Sequence, residues 1–307
     1  MVVRENISVY DICWLSYAKG GNVDMFYEPE SKGELTSLCR DLYKRKEDFL
    51  IIGHTSNIYF TPDYHANIIV STRKIKDINI SDDSINVDCG VSVRSLSRRM
   101  VDLGIKGFYG LIDLPGTVGA AVYGNASCFN CSITKLLISV ELLQPDGNIV
   151  EMKPDEFKFS NRSSAMKRSE MRGVILSMSL KKEIGDLNAI KEKAELTHQL
   201  RKLHQPAPQG TLGSIFADEG KPTLINKLIT CITKIYELIL IIAGCKDTQI
   251  KRKHMTFVLL NATDVEPYIH HWDCYHWSDE LSHKLFWKYV SLHKKMFTKS
   301  VFEIEIK

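Results

Sequence analysis

Between Ile85 and Gly104 the apolar residues change their period, and that change limits the fold more than any other feature of the chain. Ile85, Val87 and Cys89 alternate with Asn86 and Asp88, as in a half-buried strand, and the run stops at Gly90. Ser92 then stands where an N-cap hydroxyl is wanted, and Val93, Leu96, Met100 and Leu103 recur at helical spacing up to Gly104. A strand that turns at a glycine straight into a helix predicts mixed layers of sheet and helix.

The rest of the chain repeats that alternation. Phe49-Leu50-Ile51-Ile52 is a short apolar run that ends at Gly53, and Ile58-Tyr59-Phe60 resumes it. Ile138 to Leu143 and Asn148 to Met152 flank Pro145-Asp146-Gly147, a hairpin signal; Gly173 to Leu180 reads as a further strand. Leu187, Ile190, Ala194, Leu200 and Leu203 predict a helix that stops at Pro206, before a Pro and Gly stretch that runs to Gly213. Beyond it the pattern predicts a strongly apolar helix over 228–242, a strand at Phe257–Leu260, a helix at Leu281–Phe297 and a closing strand at Val301–Ile306. A chain of 307 residues exceeds what one core serves well, and the pattern places a change of domain close to the Gln205–Gly213 stretch; with the family resemblance given below, the two domains expected are 1–186 and 187–307, both α+β.

Forty Lys and Arg against 37 Asp and Glu leave a net charge of +3 with no basic block, which argues against nucleic acid or an anionic membrane as partner. The most apolar stretch, Leu228 to Cys245, contains Lys234 and Glu237 and reads as a buried amphipathic helix. The N-terminus shows no secretory signal, and the eight cysteines are scattered, as expected of reduced thiols in a cytoplasmic protein.

Two small-residue loops invite a phosphate. Gly53-His54-Thr55-Ser56-Asn57 and Leu114-Pro115-Gly116-Thr117-Val118-Gly119 both let backbone amides approach an anion, yet neither has the spacing of a Walker loop or a dinucleotide fingerprint. Each alone is equally well a tight turn. In order they are followed by Asn125-Ala126, by Asn161-Arg162-Ser163-Ser164, by Gln205-Pro206 eight residues ahead of Gly213-Ser214-Ile215-Phe216, and by Glu303-Ile304-Glu305-Ile306. This succession resembles the UDP-N-acetylenolpyruvoylglucosamine reductase (MurB) family from about residue 15 to 307, most specifically at Pro115 to Gly119.

The resemblance implies a vanillyl-alcohol-oxidase (PCMH) type FAD-binding domain followed by a MurB C-terminal-like substrate domain. It implies FAD contacts from Gly53, Ser56, Asn57, Pro115, Gly116, Thr117, Val118 and Gly119. It implies that NADPH reduces the flavin and that the enolpyruvyl group of UDP-N-acetylglucosamine enolpyruvate is then reduced to UDP-N-acetylmuramate, a peptidoglycan precursor. Arg162 would stabilise the enolate, Ser214 would protonate it and Glu305 would assist. Without the family, Arg162 is a surface charge among Lys158, Lys167 and Arg168, Ser214 is a cap, and Glu305 is the solvent face of an edge strand.

The chain departs from the family at His54 and Thr55, where a glycine is usual, at Asn161 in place of tyrosine, and at Asp218 in place of asparagine. These departures leave room for a paralogue acting on another nucleotide sugar in surface polysaccharide synthesis, or for a scaffold that has lost FAD. Cys128 and Cys131 form a C-x-x-C without a second pair and read as structural. The cluster His270, His271, Cys274 and His276 reads as half-buried surface, and no metal is expected.

Overall fold

The computed structural model describes residues 1–13, 21–204, 210–218, 220–272 and 274–307. The helices are α1 (Lys32–Lys44), α2 (Val93–Asp102), α3 (Val118–Tyr123), α4 (Ile133–Leu136), α5 (Leu187–His204), α6 (Leu224–Ile242), α7 (Thr248–Leu259) and α8 (Glu280–Met296). The chain divides into two compact units, one from the described residues of 1–14, 20–56 and 60–205, the other from those of 57–59 and 206–307.

Two sheets build the first unit. One has the order Val2–Ser8, Asn22–Glu28, His65–Ser71, Leu50–Ile52, antiparallel at the first pair and parallel after it. The other is antiparallel throughout, in the order Ile149–Met152, Leu137–Leu143, Val174–Lys181, Ser84–Asp88, Ile78–Ile80. The strand and helix expected between Ile85 and Gly104 are both present, and the Ser92 hydroxyl accepts from the Ser95 amide as the N-cap. The helix ends one residue before Leu103, which is exposed; Val101 is buried with Val93, Leu96 and Met100.

The expected domain boundary at 186/187 needs correction. Helix α5 belongs to the first unit, because Ile190 and Ala194 lie in the same apolar core as Leu96, Met100 and Leu111. A one-sided apolar stripe shows that a helix packs, and not on which partner.

In the second unit, Thr211–Ser214, Cys274–His276 and Ile269–His271 form a three-stranded sheet, Phe216–Asp218 pairs with Val301–Phe302, and Lys221–Pro222 with Phe297–Thr298. Its core is aromatic: Tyr59, Tyr275, Trp277, Phe286 and Tyr289 are fully buried, and Tyr275 donates to the Ser282 carbonyl at 2.6 Å. The strand expected at Phe257–Leu260 is instead the end of α7. A four-residue apolar run does not distinguish strand from helix, and only Phe257 of Phe257–Leu259 is buried. The closing strand is broken in two, with Val301–Phe302 on one partner and Glu305–Ile306 parallel to Ile58–Tyr59. Gln205 and Pro206 lie outside the described residues.

Candidate functional site

Three turns of the first unit meet through backbone contacts. Val118 N–H donates to the Val91 carbonyl at 2.8 Å, Gly119 N–H to Cys89 at 2.9 Å, and Val93 N–H to Gly116 at 3.1 Å. These bonds lock the loop of Pro115 to Gly119 onto the turn that follows the strand Ser84–Asp88. The first small-residue loop closes on the same place. A Cβ on Gly53 would lie 2.3 Å from Thr117 Oγ1, and one on Gly116, whose φ is +110°, would lie 3.1 Å from Ser56 Oγ. A Cβ on Gly119 would come within 2.9 Å of Cys89 Cβ, and one on Gly90 within 1.8 Å of the Thr72 carbonyl. Side chains are excluded there by contact, which is the reason the glycines are needed.

Gly90 was read from the sequence only as the end of a strand. Its place in this packing shows only once Thr72 and Ile75 are seen against it.

Thr55, one of the two positions at which the family resemblance leads one to expect a glycine, is accommodated at a cost. Thr55 takes a φ of +56°, is buried, and donates from Oγ1 to the Ile12 carbonyl at 3.4 Å. A β-branched residue in that region costs of order 1–3 kcal/mol, met here by burial and a hydrogen bond. His54 is held below its ordinary pKa by burial and then by Lys76 and Arg73, so it is neutral at neutral pH. Ser71, beside Ile52 in the sheet, is fully buried with an Oγ that has no hydrogen-bond partner among the described residues. Small-residue backbone, with the half-buried Ser56 hydroxyl beside Gly116, is the kind of donor set that suits the diphosphate of a dinucleotide such as FAD.

Asp113 ties this loop to two helices. Its carboxylate accepts from Arg98 Nη2 at 2.9 Å and pairs with His198 Nδ1 at 2.6 Å, while Arg98 Nε and Arg94 Nη2 reach the carbonyls of Ile112 and Asp113. Burial alone pushes the Asp113 carboxyl up, but the hydrogen bonds from His198 and Arg98 outweigh it and hold the group below its ordinary pKa. Asp113 therefore stays charged, two residues ahead of Pro115. Sequence reading had no signal for it: one carboxylate whose partners lie 15 and 85 residues away forms no motif.

Arg162 sits at φ +52° in a two-residue turn closed by reciprocal bonds between Ser160 and Ser163. Its Nη1 donates to the Ser127 carbonyl at 2.8 Å. Asn125 Nδ2 holds the Ser160 carbonyl at 2.6 Å, and Arg168 reaches both Ser160 and Ser163. Arg162 is thus part of a braced loop and only partly exposed, contrary to its reading as a plain surface charge. Cys128 and Cys131 are cross-strand partners at a hairpin tip, with Arg201 Nη2 2.7 Å from Cys128 Sγ. Burial raises both thiols above their ordinary range, so neither is a ready thiolate.

In the second unit, Ser214 ends a strand opposite Cys274, just after Gly213, whose φ of +77° is what calls for glycine. Ile215 accepts from the Glu303 amide at 2.8 Å, and Asn57 Nδ2 donates to the Glu303 carbonyl at 3.1 Å. Glu305 N–H then donates to the Asn57 carbonyl at 2.9 Å, and its carboxylate lies 3.5 Å from Lys307 Nζ. The unit thereby collects Asn57, Ser214 and Glu305 from three distant parts of the chain. Asn57, expected among the flavin contacts, belongs with the C-terminal strands, whereas Gly53 and Ser56 belong to the first unit. Asp218 ends its strand, and its side chain lies outside the described residues. Trp277 is fully buried and is no partner surface; among the described residues no three His, Cys, Asp or Glu side chains come together as a metal site. No described helix is long and apolar enough to cross a membrane.

Residues 23–153 match the family described as FAD binding domain. UDP-N-acetylenolpyruvoylglucosamine reductase of Pediococcus pentosaceus is 27% identical over 258 residues, 82% of each chain, and that of Fusobacterium nucleatum is 28% identical over 78% of this chain and 81% of its own. The reductase of Fervidobacterium nodosum is 30% identical over 66% of this chain and 65% of its own. The crystal structure of UDP-N-acetylenolpyruvylglucosamine reductase from Thermus caldophilus superposes with a TM-score of 0.70 over 99% of both chains at 17% identity, which establishes the shared fold.

Proposed function

The chain belongs to the UDP-N-acetylenolpyruvoylglucosamine reductase (MurB) family, and from that membership we infer that it is an FAD-dependent reductase of UDP-N-acetylglucosamine enolpyruvate, forming UDP-N-acetylmuramate. The observation that carries this reading is the glycine-lined meeting of the Gly53 and Pro115 to Gly119 loops. In this reading it is the junction at which the matched FAD binding domain would hold the diphosphate.

FAD, when bound, carries hydride from NADPH to the terminal carbon of the enolpyruvyl double bond. Gly53, Ser56, Pro115, Gly116, Thr117, Val118 and Gly119 hold it in this reading, with Asn57 contributing from the adjoining segment. Asp113 positions the Pro115 loop. Arg162, braced by its turn, offers a guanidinium fork to the substrate carboxylate and stabilises negative charge as the enolate forms. Ser214 delivers the proton to the carbon next to that carboxylate, and Glu305 assists by polarising the hydroxyl, whose proton is then replaced from solvent. The nucleotide sugar and NADPH are cytoplasmic metabolites, and the enzyme is placed there with them.

An anaerobic flavin experiment tests the whole reading. The purified chain is expected to be yellow, to bleach with NADPH, and to recover its colour on addition of UDP-N-acetylglucosamine enolpyruvate. A colourless chain that takes up no added FAD refutes the enzyme; bleaching without recovery refutes the substrate.

A further inference from the structure

Helix α6 carries an apolar stripe that its own unit leaves uncovered. Its buried residues are Ile229 and Thr233, and on that side it packs against α7 and α8. About a third of a turn round the helix from them, Ile225, Leu228, Ile232, Ile235, Ile239 and Ile242 follow one another at spacings of 3, 4, 3, 4 and 3 residues, the a and d positions of a heptad. All six are exposed, from 42% at Ile232 to 78% at Ile242. Leu224, Cys231 and Leu238 occupy the g positions and are exposed as well, while Lys227 and Lys234 fall at c, turned away from the seam.

Area and chemistry together choose the occupant. The six seam residues with Leu224 and Leu238 leave on the order of 900 Å² of surface in water, against ~300–600 Å² for the largest apolar patch of an ordinary monomer and ~800 Å² per partner for a standard interface. No charge falls on the a, d or g positions, so the seam selects no acidic or basic partner and complements itself. A helix lying on lipid usually carries many Lys and Arg and aromatic anchors; α6 has two lysines in all and no Trp or Phe.

We propose that α6 is a dimerisation helix that pairs with α6 of a second copy, antiparallel, about a two-fold axis near Cys231 and Ile232. Such an axis makes the contact isologous and sets the two helix dipoles in opposition. It brings the g position of one helix to the g position of the other, so Cys231 faces its own symmetry mate. Among the described cysteines only Cys231 is exposed, which gives the arrangement a chemical signature.

Light scattering on the intact flavoprotein is expected to report twice the chain mass of 35.0 kDa. Ile235→Glu is expected to raise the dimer dissociation constant at least ~100-fold, because it buries an unpaired charge, while flavin content stays unchanged. Should that variant fail to fold, mild copper-catalysed oxidation of the unsubstituted protein gives the same answer: a disulfide-linked dimer that Cys231→Ser abolishes. A monomer at tens of micromolar overturns the proposal, as does a dimer indifferent to Ile235→Glu. Absence of the Cys231 cross-link overturns the antiparallel arrangement. Sedimentation with phosphatidylglycerol vesicles by a chain that is monomeric in solution assigns the stripe to a membrane surface instead.

Discussion

Helix α2 buries Val93, Leu96, Met100 and Val101 in its unit's core and turns Arg98 and Arg99 outward. Helix α6 is nearly twice as long, buries Ile229 and Thr233, and leaves most of its apolar residues in water. The contrast lies in the number of stripes. One stripe, as in α2, is satisfied by the chain's own core; α6 has two, and its unit covers one. The surroundings of α2 are correspondingly close-fitted, with glycines whose Cβ positions are already taken by neighbouring protein atoms.

Five measurements break or sharpen this contrast. The largest effect is expected from Gly53→Ala, which sets a methyl against Thr117 and is expected to leave the purified protein without flavin by its visible absorbance; a fully loaded variant would show that the loop has slack. Met100→Ala, in the buried stripe of α2, is expected to cost about 2–5 kcal/mol in urea unfolding. Ser214→Ala moves the test to the second unit: flavin reduction by NADPH stays near normal while reoxidation by the enolpyruvyl substrate slows at least ~100-fold, or about 2.7 kcal/mol in barrier. Equal reoxidation removes Ser214 from the mechanism.

Asp113→Asn is expected to cost about 1–3 kcal/mol at pH 7, because His198 and Arg98 lose a charged partner. The pH dependence has a definite sign. The folded pKa of Asp113 lies below its ordinary value of 3.8, so its stabilisation is complete above that value and is lost as pH falls through the lower, folded one. The wild-type advantage over the Asn variant should therefore shrink only in strong acid, and an advantage already gone at pH 5 would contradict the network. The smallest effect belongs to Ile235→Ala, measured where the chain is monomeric: under about 0.5 kcal/mol, as for a side chain with nothing packed on it. A loss comparable to that of Met100→Ala would mean the seam of α6 is covered within the chain.

Much of this was legible from residues alone where a short-range rule applied. The period change at Gly90, the Ser92 cap and the Pro145-Asp146-Gly147 hairpin depend on neighbours a few positions away, and all three are present. The reading failed where the deciding partner was distant. Phe257–Leu260 looks like a strand in isolation because the buried side of α7 is defined by residues far along the chain. The placement of α5 in the first unit depends on a core shared with α2, and Asp113 gains its role from His198, 85 residues on. The positive φ of Thr55 is a different kind of failure, since propensity argues against it and only the packed loop imposes it. For the candidate site, loops and order were readable, but the departure of Asn57 from its loop was not.

That departure bears on how the protein is made. Asn57, Ile58 and Tyr59 belong to a unit whose other residues are translated at the far end of the chain, and the contact between Asn57 and Glu303 spans 246 residues. At ~5–20 residues per second, the ribosome needs on the order of tens of seconds to supply that partner. Throughout this interval the strand Ile58–Tyr59 has no edge to join and the Tyr59 ring has no aromatic core around it. A ribosome stalled short of Glu303 would therefore display an unpaired strand and a bare tyrosine in the middle of an otherwise finished first unit, a segment for a chaperone to hold or a protease to cut.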